Sequence, residues 1–307
     1  MHVKEHIELT REEIERLIKE TEERLKELEK YGKRSEYIKE LSNLAFLQLE
    51  VEQYTNSEKN LQVCLKHFKK QKDNLGKAAV YGILGILHFK SGAYQKSIDY
   101  YNMAHEIYKE FNQVQEQITC LKGIGINLIK LNQFDEACDN LLECSALCSD
   151  NNDIYNLLDC LGNLIYIHEK RENWDVVFEL YKKTLKIFKE LHDNRGSIVS
   201  YFNLGILKKR GSDFDRAIRY FKKGTNIAID SNYTELILKG LGYVGEILVY
   251  RGKMNAAKEV YIKALSTAEK FKVKNSIIQI KILLKSLGLN EEEIEKELRN
   301  YRNLRIK

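Results

Sequence analysis

Six cysteines are the most reactive side chains in this sequence: Cys64, Cys120, Cys138, Cys144, Cys148 and Cys160. Thiolates bind soft metals and exchange disulfides, and both roles need sulfurs close together. Cys144 and Cys148 stand one helical turn apart, but there is no CxxC pair and no histidine at ligand spacing. The six therefore read as small buried thiols in a reducing compartment, and no metal or other cofactor is expected. A second pattern, Gly240-Leu241-Gly242-Tyr243-Val244-Gly245, spells GxGxxG, with Glu259 downstream. Dinucleotide binding would require a preceding strand and a βαβ unit. Here the segment falls on a helix that follows a helix, so the glycines read as close-packing positions. His88 and His168, eighty residues apart, occupy equivalent places and read as rings in packing slots. With no HExxH, nucleophile elbow or Walker loop, and no carboxylate pair forced into a pocket, the sequence predicts no enzyme.

The elements that would position these residues repeat. Leu-Gly pairs or their equivalents recur every forty residues: Leu44-Ala45, Leu84-Gly85, Ile124-Gly125, Leu164-Ile165, Leu204-Gly205 and Val244-Gly245. A large residue follows each pair (Tyr54, Tyr94, Phe134, Trp174, Phe214, Met254), then a mostly small one (Ser57, Ser97, Ala137, Val177, Ala217, Ala257). Next come a large apolar position (Leu61, Tyr101, Leu141, Tyr181, Phe221, Tyr261) and another usually small one (Cys64, Ala104, Cys144, Thr184, Gly224, Ala264). Six copies hold this register without an insertion. Turn signals such as Ser91-Gly92, Asn132-Gln133 and Asn151-Asn152 divide the helices.

This pattern resembles the tetratricopeptide repeat, and the resemblance covers residues 38–277. The forty-residue period departs from the usual thirty-four. It is similar to the longer subclass in Leu-Gly-Asn-type G-protein-signalling modulators, with Asp73-Asn74-Leu75-Gly76 and Asp193-Asn194-Arg195-Gly196 as inter-repeat turns and Asn43, Asn163 and Asn203 before Leu-Gly positions. HEAT and armadillo arrays share a period near forty. They rank lower because the small-residue ladder fits tetratricopeptide packing and proline is absent. The resemblance implies an all-α, right-handed superhelical solenoid of six helix-turn-helix units, at 38–77, 78–117, 118–157, 158–197, 198–237 and 238–277. Residues 1–37 are expected as an N-terminal capping helix, opened by the capping box Thr10-Arg11-Glu12-Glu13. Residues 278–307 are expected as C-terminal capping helices, with Asn290 as a cap and a basic tail of Arg299, Arg302, Arg305 and Lys307.

In this family the first helix of each unit lines a concave groove. The thirteenth residues of the units are Glu50, Lys90, Lys130, Lys170, Arg210 and Tyr250, so four consecutive cations stand at identical positions. Repeats stacked about 10 Å apart would meet an extended peptide at roughly every third residue. The competing explanation is the helix dipole, which favours cations in a last turn. The ninth and twelfth positions are apolar (Phe46, Leu49, Ile86, Phe89, Ile126, Ile129, Tyr166, Ile206) and would add a hydrophobic strip. The expected partner-binding residues are Lys90, Lys122, Lys130, Asn163, Tyr166, Lys170, Asn203, Arg210, Phe46 and Phe89. One relative of the family grips acidic C-termini in a two-carboxylate clamp. Of the candidates Lys122, Ile126, Asn163, Val199 and Asn203, only Lys122 and Asn163 match it, so a chaperone-tail receptor is not expected.

Charge and composition bound the partners. Of 307 residues, 43% are hydrophobic and 31% charged, which suits a soluble folded chain, and no apolar run reaches membrane-spanning length. The charged N-terminus is not a signal-peptide core, so the cytoplasm is expected. Residues 131–169 carry eight acids and no Lys or Arg, whereas 208–223 carry seven bases and two acids. That asymmetry raises salt-sensitive self-association as an expectation. The reading is a non-catalytic interaction scaffold that holds a protein or peptide with acidic and apolar residues. The alternative is an RNA- or ribosome-associated factor using the basic C-terminal third, disfavoured by a net charge of only +5.

Overall fold

The computed structural model describes residues 10–304, and every regular element among them is an α-helix. Arg305 and Lys307 of the expected basic tail lie outside the described residues. After α1 (Arg11–Tyr31), first and second helices of successive pairs alternate. The first helices are α2 (Arg34–Glu50), α4 (Asn74–Lys90), α6 (Val114–Lys130), α8 (Ile154–Lys170), α10 (Asn194–Arg210) and α12 (Thr234–Tyr250). The second helices are α3 (Tyr54–Gln71), α5 (Tyr94–Glu110), α7 (Phe134–Asp150), α9 (Trp174–Glu190), α11 (Phe214–Asp230) and α13 (Met254–Lys270), and α14 (Lys274–Ser286) and α15 (Glu291–Leu304) follow.

The forty-residue period is a twenty-residue period used twice. From α4 to α13 each helix has seventeen residues and the next begins after three. Each turn ends its helix in one way. In the turn after α4, Gly92 N donates to Phe89 O at 3.0 Å and Ala93 N to His88 O at 2.8 Å. This needs a left-handed residue, and positive φ recurs every twenty positions from Glu52 (φ 64°) to Lys272 (φ 56°). Glycine occupies this place at Gly92 and Gly252, and asparagine at Asn112, Asn132, Asn152 and Asn232. The first helices begin about four residues before the repeat boundaries read from the apolar pattern. A side-chain cap fixes that start at α4 and α10, where Asp73 accepts from Gly76 N at 2.8 Å and Asp193 from Gly196 N at 2.9 Å, whereas α2, α6 and α12 begin without one.

Packing explains the ladder of small and large residues. A Cβ on Gly85 would lie 2.9 Å from the Tyr101 ring, and one on Gly125 would lie 2.7 Å from Leu141. Gly205 against Phe221 and Gly245 against Tyr261 repeat the arrangement. Two residues of the small position downstream hydrogen-bond back: Ser57 Oγ donates to Ala45 O at 2.6 Å and Ser97 Oγ to Gly85 O at 2.7 Å. Gly85, Gly125, Gly205 and Gly245 thus mark close helix crossings, and the large residue sixteen positions later fills each. Leu61, Leu84, Leu141, Leu164 and Phe221 are fully buried, each contributing about 1.5–3 kcal/mol of transfer free energy.

The described residues divide into two compact units, 10–167 and 168–304. In the first, α1 packs on α2, and neighbouring helices stack onward through α7. In the second, α9 to α14 stack likewise, and α15 folds back on α13 and α14. Capping boxes open both terminal helices: Thr10 with Glu13, and Asn290 with Glu293. Lys281 on α14 bridges Glu291 at 2.7 Å and Glu295 at 3.0 Å on α15, while Ile294 and Leu298 are buried beneath. Among the described residues, no helix is long and apolar enough to cross a membrane.

Candidate functional site

Fifth and ninth positions of a first helix lie one turn apart and share a face. In the first unit that face carries Gly82 and Ile86 on α4, Lys122 and Ile126 on α6, and Gly162 and Tyr166 on α8. A Cβ on Gly82 or Gly162 would meet nothing within 4 Å. These glycines therefore serve no packing contact, although each weakens its helix by roughly 1 kcal/mol relative to alanine. Phe46 on α2 is 43% exposed and Tyr166 44%, while Ile86 and Ile126 are half-buried. In the second unit Ile206 on α10 is 41% exposed, and Gly242 on α12 again faces open space. The close-packing reading of the GxGxxG glycines thus holds for Gly240 and Gly245, which abut Thr225 and Tyr261, and fails for Gly242.

The basic ladder is largely engaged within the chain. Lys90 Nζ lies 3.0 Å from Glu50 Oε2, the equivalent position one repeat earlier. Arg210 stacks its guanidinium 3.7 Å over the Trp174 ring and lies 3.9 Å from Glu172. Lys122 donates to Asn156 at 2.6 Å and Asp159 at 3.0 Å. Lys130 and Lys170 end their helices with exposed side chains. The polar candidates Asn163 and Asn203 are half-buried, and Asn163 Nδ2 donates to Asp159 O at 2.9 Å. Phe89 is half-buried, with its ring 5.9 Å from that of Tyr94. Leu49, expected in the apolar strip, is instead fully buried. Being beside the αL turn at Glu52, it closes the end of its helix pair.

Composition did not reveal a cleft of about 500 Å³ in the second unit. Phe214, Val249, Tyr250, Leu283 and Leu287 give it apolar walls, and the Lys209–Glu246 ion pair stands at its rim. Tyr250 is 76% exposed, and it is the residue that interrupts the cation ladder. Its ring lies 5.1 Å from that of Phe214. The signal for this cleft was the change from cation to aromatic at a fixed repeat position.

Buried titratable groups sit away from that face. His88 stacks flat on Tyr100 at 5.2 Å, and its Nε2 approaches Glu58 at 3.7 Å. Burial pushes the His88 pKa down, and Lys96 adds to this, while Glu58 opposes it. His105 is held low by burial as well, against the pull of Glu143 and Glu106. His168 shows the same direction, from burial and Arg171. Three cysteines, Cys144 and Cys148 on α7 and Cys160 on α8, converge with all sulfurs within 4.8 Å of one another. Sequence spacing had linked only the first two.

Stacked two-helix units with small residues at most crossings, and open glycines on one helix of some pairs, define an all-α helical-repeat array. A profile of the tetratricopeptide repeat family matches residues 40–110 and 156–230, so these stretches are tetratricopeptide repeats. A TPR repeat-containing protein, MJ1428 of Methanocaldococcus jannaschii, is 24% identical over 250 residues, covering 78% of this chain. The chain spans 41% of that relative's length. Among solved structures, BtubC of P. vanneervenii superposes with a TM-score of 0.58 at 18% identity, over 71% of this chain and 92% of that one. The STAND protein PH0952 of Pyrococcus horikoshii, which has a tetratricopeptide repeat sensor, gives 0.57 at 14% identity, over 96% of this chain and 45% of that one. These likenesses establish the fold.

Proposed function

We propose that the chain is a non-catalytic scaffold that holds a segment of a partner protein along the glycine-bearing face of its first helices. The observation that carries this reading is the placement of Gly82, Gly162 and Gly242 in helix interiors with open space before them. Their use is to let a ligand backbone come close, on first helices that carry half-exposed Phe46 and Tyr166 in the first unit and Ile206 in the second. Desolvating those apolar groups supplies affinity, and the exposed cation Lys130 favours acidic neighbours in the ligand. Lys90, Lys122 and Arg210, tied to Glu50, Asp159 and Trp174, chiefly fix the helices that present the face.

The nucleic-acid alternative gains no support from the basic run at 208–223. Lys208 stacks on Phe178 at 3.9 Å, Lys209 and Arg216 pair with Glu246 and Asp213, and Arg210 lies over Trp174.

The test is a peptide array of twelve-residue segments pairing apolar and acidic residues. Selected peptides are expected to bind the chain with micromolar affinity and to lose at least tenfold against Gly162→Arg or Tyr166→Glu. Lys130→Glu should weaken acidic peptides only. Peptides that bind the Gly162→Arg protein as well as the unaltered one would remove this face from the reading.

A further inference from the structure

The sulfur cluster in the first unit lies outside the face just described. Cys144, Cys148 and Cys160 are each fully buried. Cys160 Sγ is 3.2 Å from Cys144 Sγ, and Cys144 Sγ in turn lies 3.5 Å from the Ile118 carbonyl oxygen. The repeat supplies an internal control. Where this pair of helices has Cys144 and Cys148, the others carry Cys64 and Phe68, Ala104 and Tyr108, Thr184 and Phe188, Gly224 and Ala228, or Ala264 and Ala268. The slot of Cys160 in those crossings holds Val80, Cys120, Ser200, Gly240 and Ile280. Packing at this crossing is therefore met elsewhere with at most one sulfur, and with a ring in the slot of Cys148 in three pairs and alanine in two. One crossing alone combines three thiols.

We propose that Cys144, Cys148 and Cys160 form a binding site for monovalent copper. Sulfur donors select soft ions. A metal–sulfur bond of about 2.3 Å in a trigonal plane spaces the sulfurs about 4 Å apart. All three sulfurs already lie within 4.8 Å of one another, so small rotations of the side chains suffice. Zinc would call for a fourth ligand, and among the described residues the cluster holds only these three donors. Lys122, hydrogen-bonded to Asp159 beside Cys160, brings a positive charge near the thiolates. On binding, three S–H bonds break and three copper–sulfur bonds form. The protons leave to solvent, copper stays monovalent and no electron moves.

The test uses the full chain, reduced, metal-free and anaerobic, titrated with Cu(I) against a chromophoric Cu(I) chelator. One equivalent is expected to bind and to raise the Tm. Cys144→Ser, Cys148→Ser and Cys160→Ser should each lose at least tenfold in affinity, while Cys64→Ser, in the slot equivalent to Cys144, keeps the unaltered value. Cys148→Phe installs the ring used at Phe68 and Phe188, so it should fold and still lose the site. Uptake below one equivalent, uptake unchanged in Cys148→Phe, equal loss in Cys64→Ser, or tighter binding of Zn(II) than of Cu(I) would each overturn the proposal.

Discussion

Glycines show how one residue type can mean opposite things. Gly85 and Gly205 are needed because Tyr101 and Phe221 fill the space where a Cβ would go. Gly82, Gly162 and Gly242 have nothing there. Gly85→Ala is expected to destabilise by about 1–3 kcal/mol through overpacking. Gly82→Ala should instead stabilise by roughly 1 kcal/mol, because it removes glycine's helix penalty without a clash. Chemical denaturation of the two variants reads both signs. Histidine gives a pH prediction at the same scale. His88, His105 and His168 have pKa values lowered by folding, so the unfolded chain binds more protons as the solution acidifies. Their contribution is fully present above the ordinary value of 6.5 and is lost as pH falls below it. The Tm should drop between pH 7.5 and 5, and the slope should lessen in His88→Phe, which keeps the ring stacked on Tyr100. None of this could be separated in the sequence, where Gly82 and Gly85 sit three residues apart and differ only in which neighbour faces them.

At the scale of elements, much was legible in the residues. The period of forty, the capping box at Thr10 and the cap at Asn290 followed from spacing and cap chemistry. The twenty-residue half-period was less visible, because its defining left-handed turn residue is often not glycine. Glu172 (φ 57°), His192 (φ 54°) and Lys72 (φ 57°) adopt a conformation disfavoured by roughly 1–2 kcal/mol for most L-residues. Helix capping and the turn hydrogen bonds offset that cost. His192→Gly and Lys72→Gly should therefore each raise stability by about 0.5–1 kcal/mol, measured from urea unfolding midpoints at constant m. A fall on substitution would show that these side chains hold their turns through contacts of their own. The pairing of Lys90 with Glu50 had a sequence signal that the cation pattern obscured: the ladder begins with an acid, and positions forty apart are neighbours.

On the scale of the whole molecule, stability in such an array is a sum of local terms, each helix answering chiefly to its neighbours. The C-terminal helix α15 is held by Ile294, Leu298 and the Lys281–Glu291–Glu295 network. Leu298→Ala should release α15, with hydrogen exchange accelerating there and in the parts of α13 and α14 beneath it, while α4 to α7 keep their protection. Acceleration spread evenly over the chain would show a cooperativity that local stacking does not supply. The Glu291 carboxyl is held down at about 2 by Lys281 and Lys285, so this docking should persist through mild acid. It should weaken only as pH falls from the ordinary carboxylate range toward that value. The cluster of Cys144, Cys148 and Cys160 belongs to this scale for legibility too. A stack brings Cys160 onto Cys144 across sixteen residues, a distance that no local motif scan connects.

The left-handed residues at every twentieth place make the chain divisible. Excision of forty residues between two such seams would rejoin helices that remain in phase, a first helix still following a second. Excision of twenty would promote each downstream second helix to the role of a first and set Asn102, Lys182 and Ile262 at the register of Gly82, Gly162 and Gly242. Lengthening or shortening this protein by recombination is thus confined to whole pairs of helices.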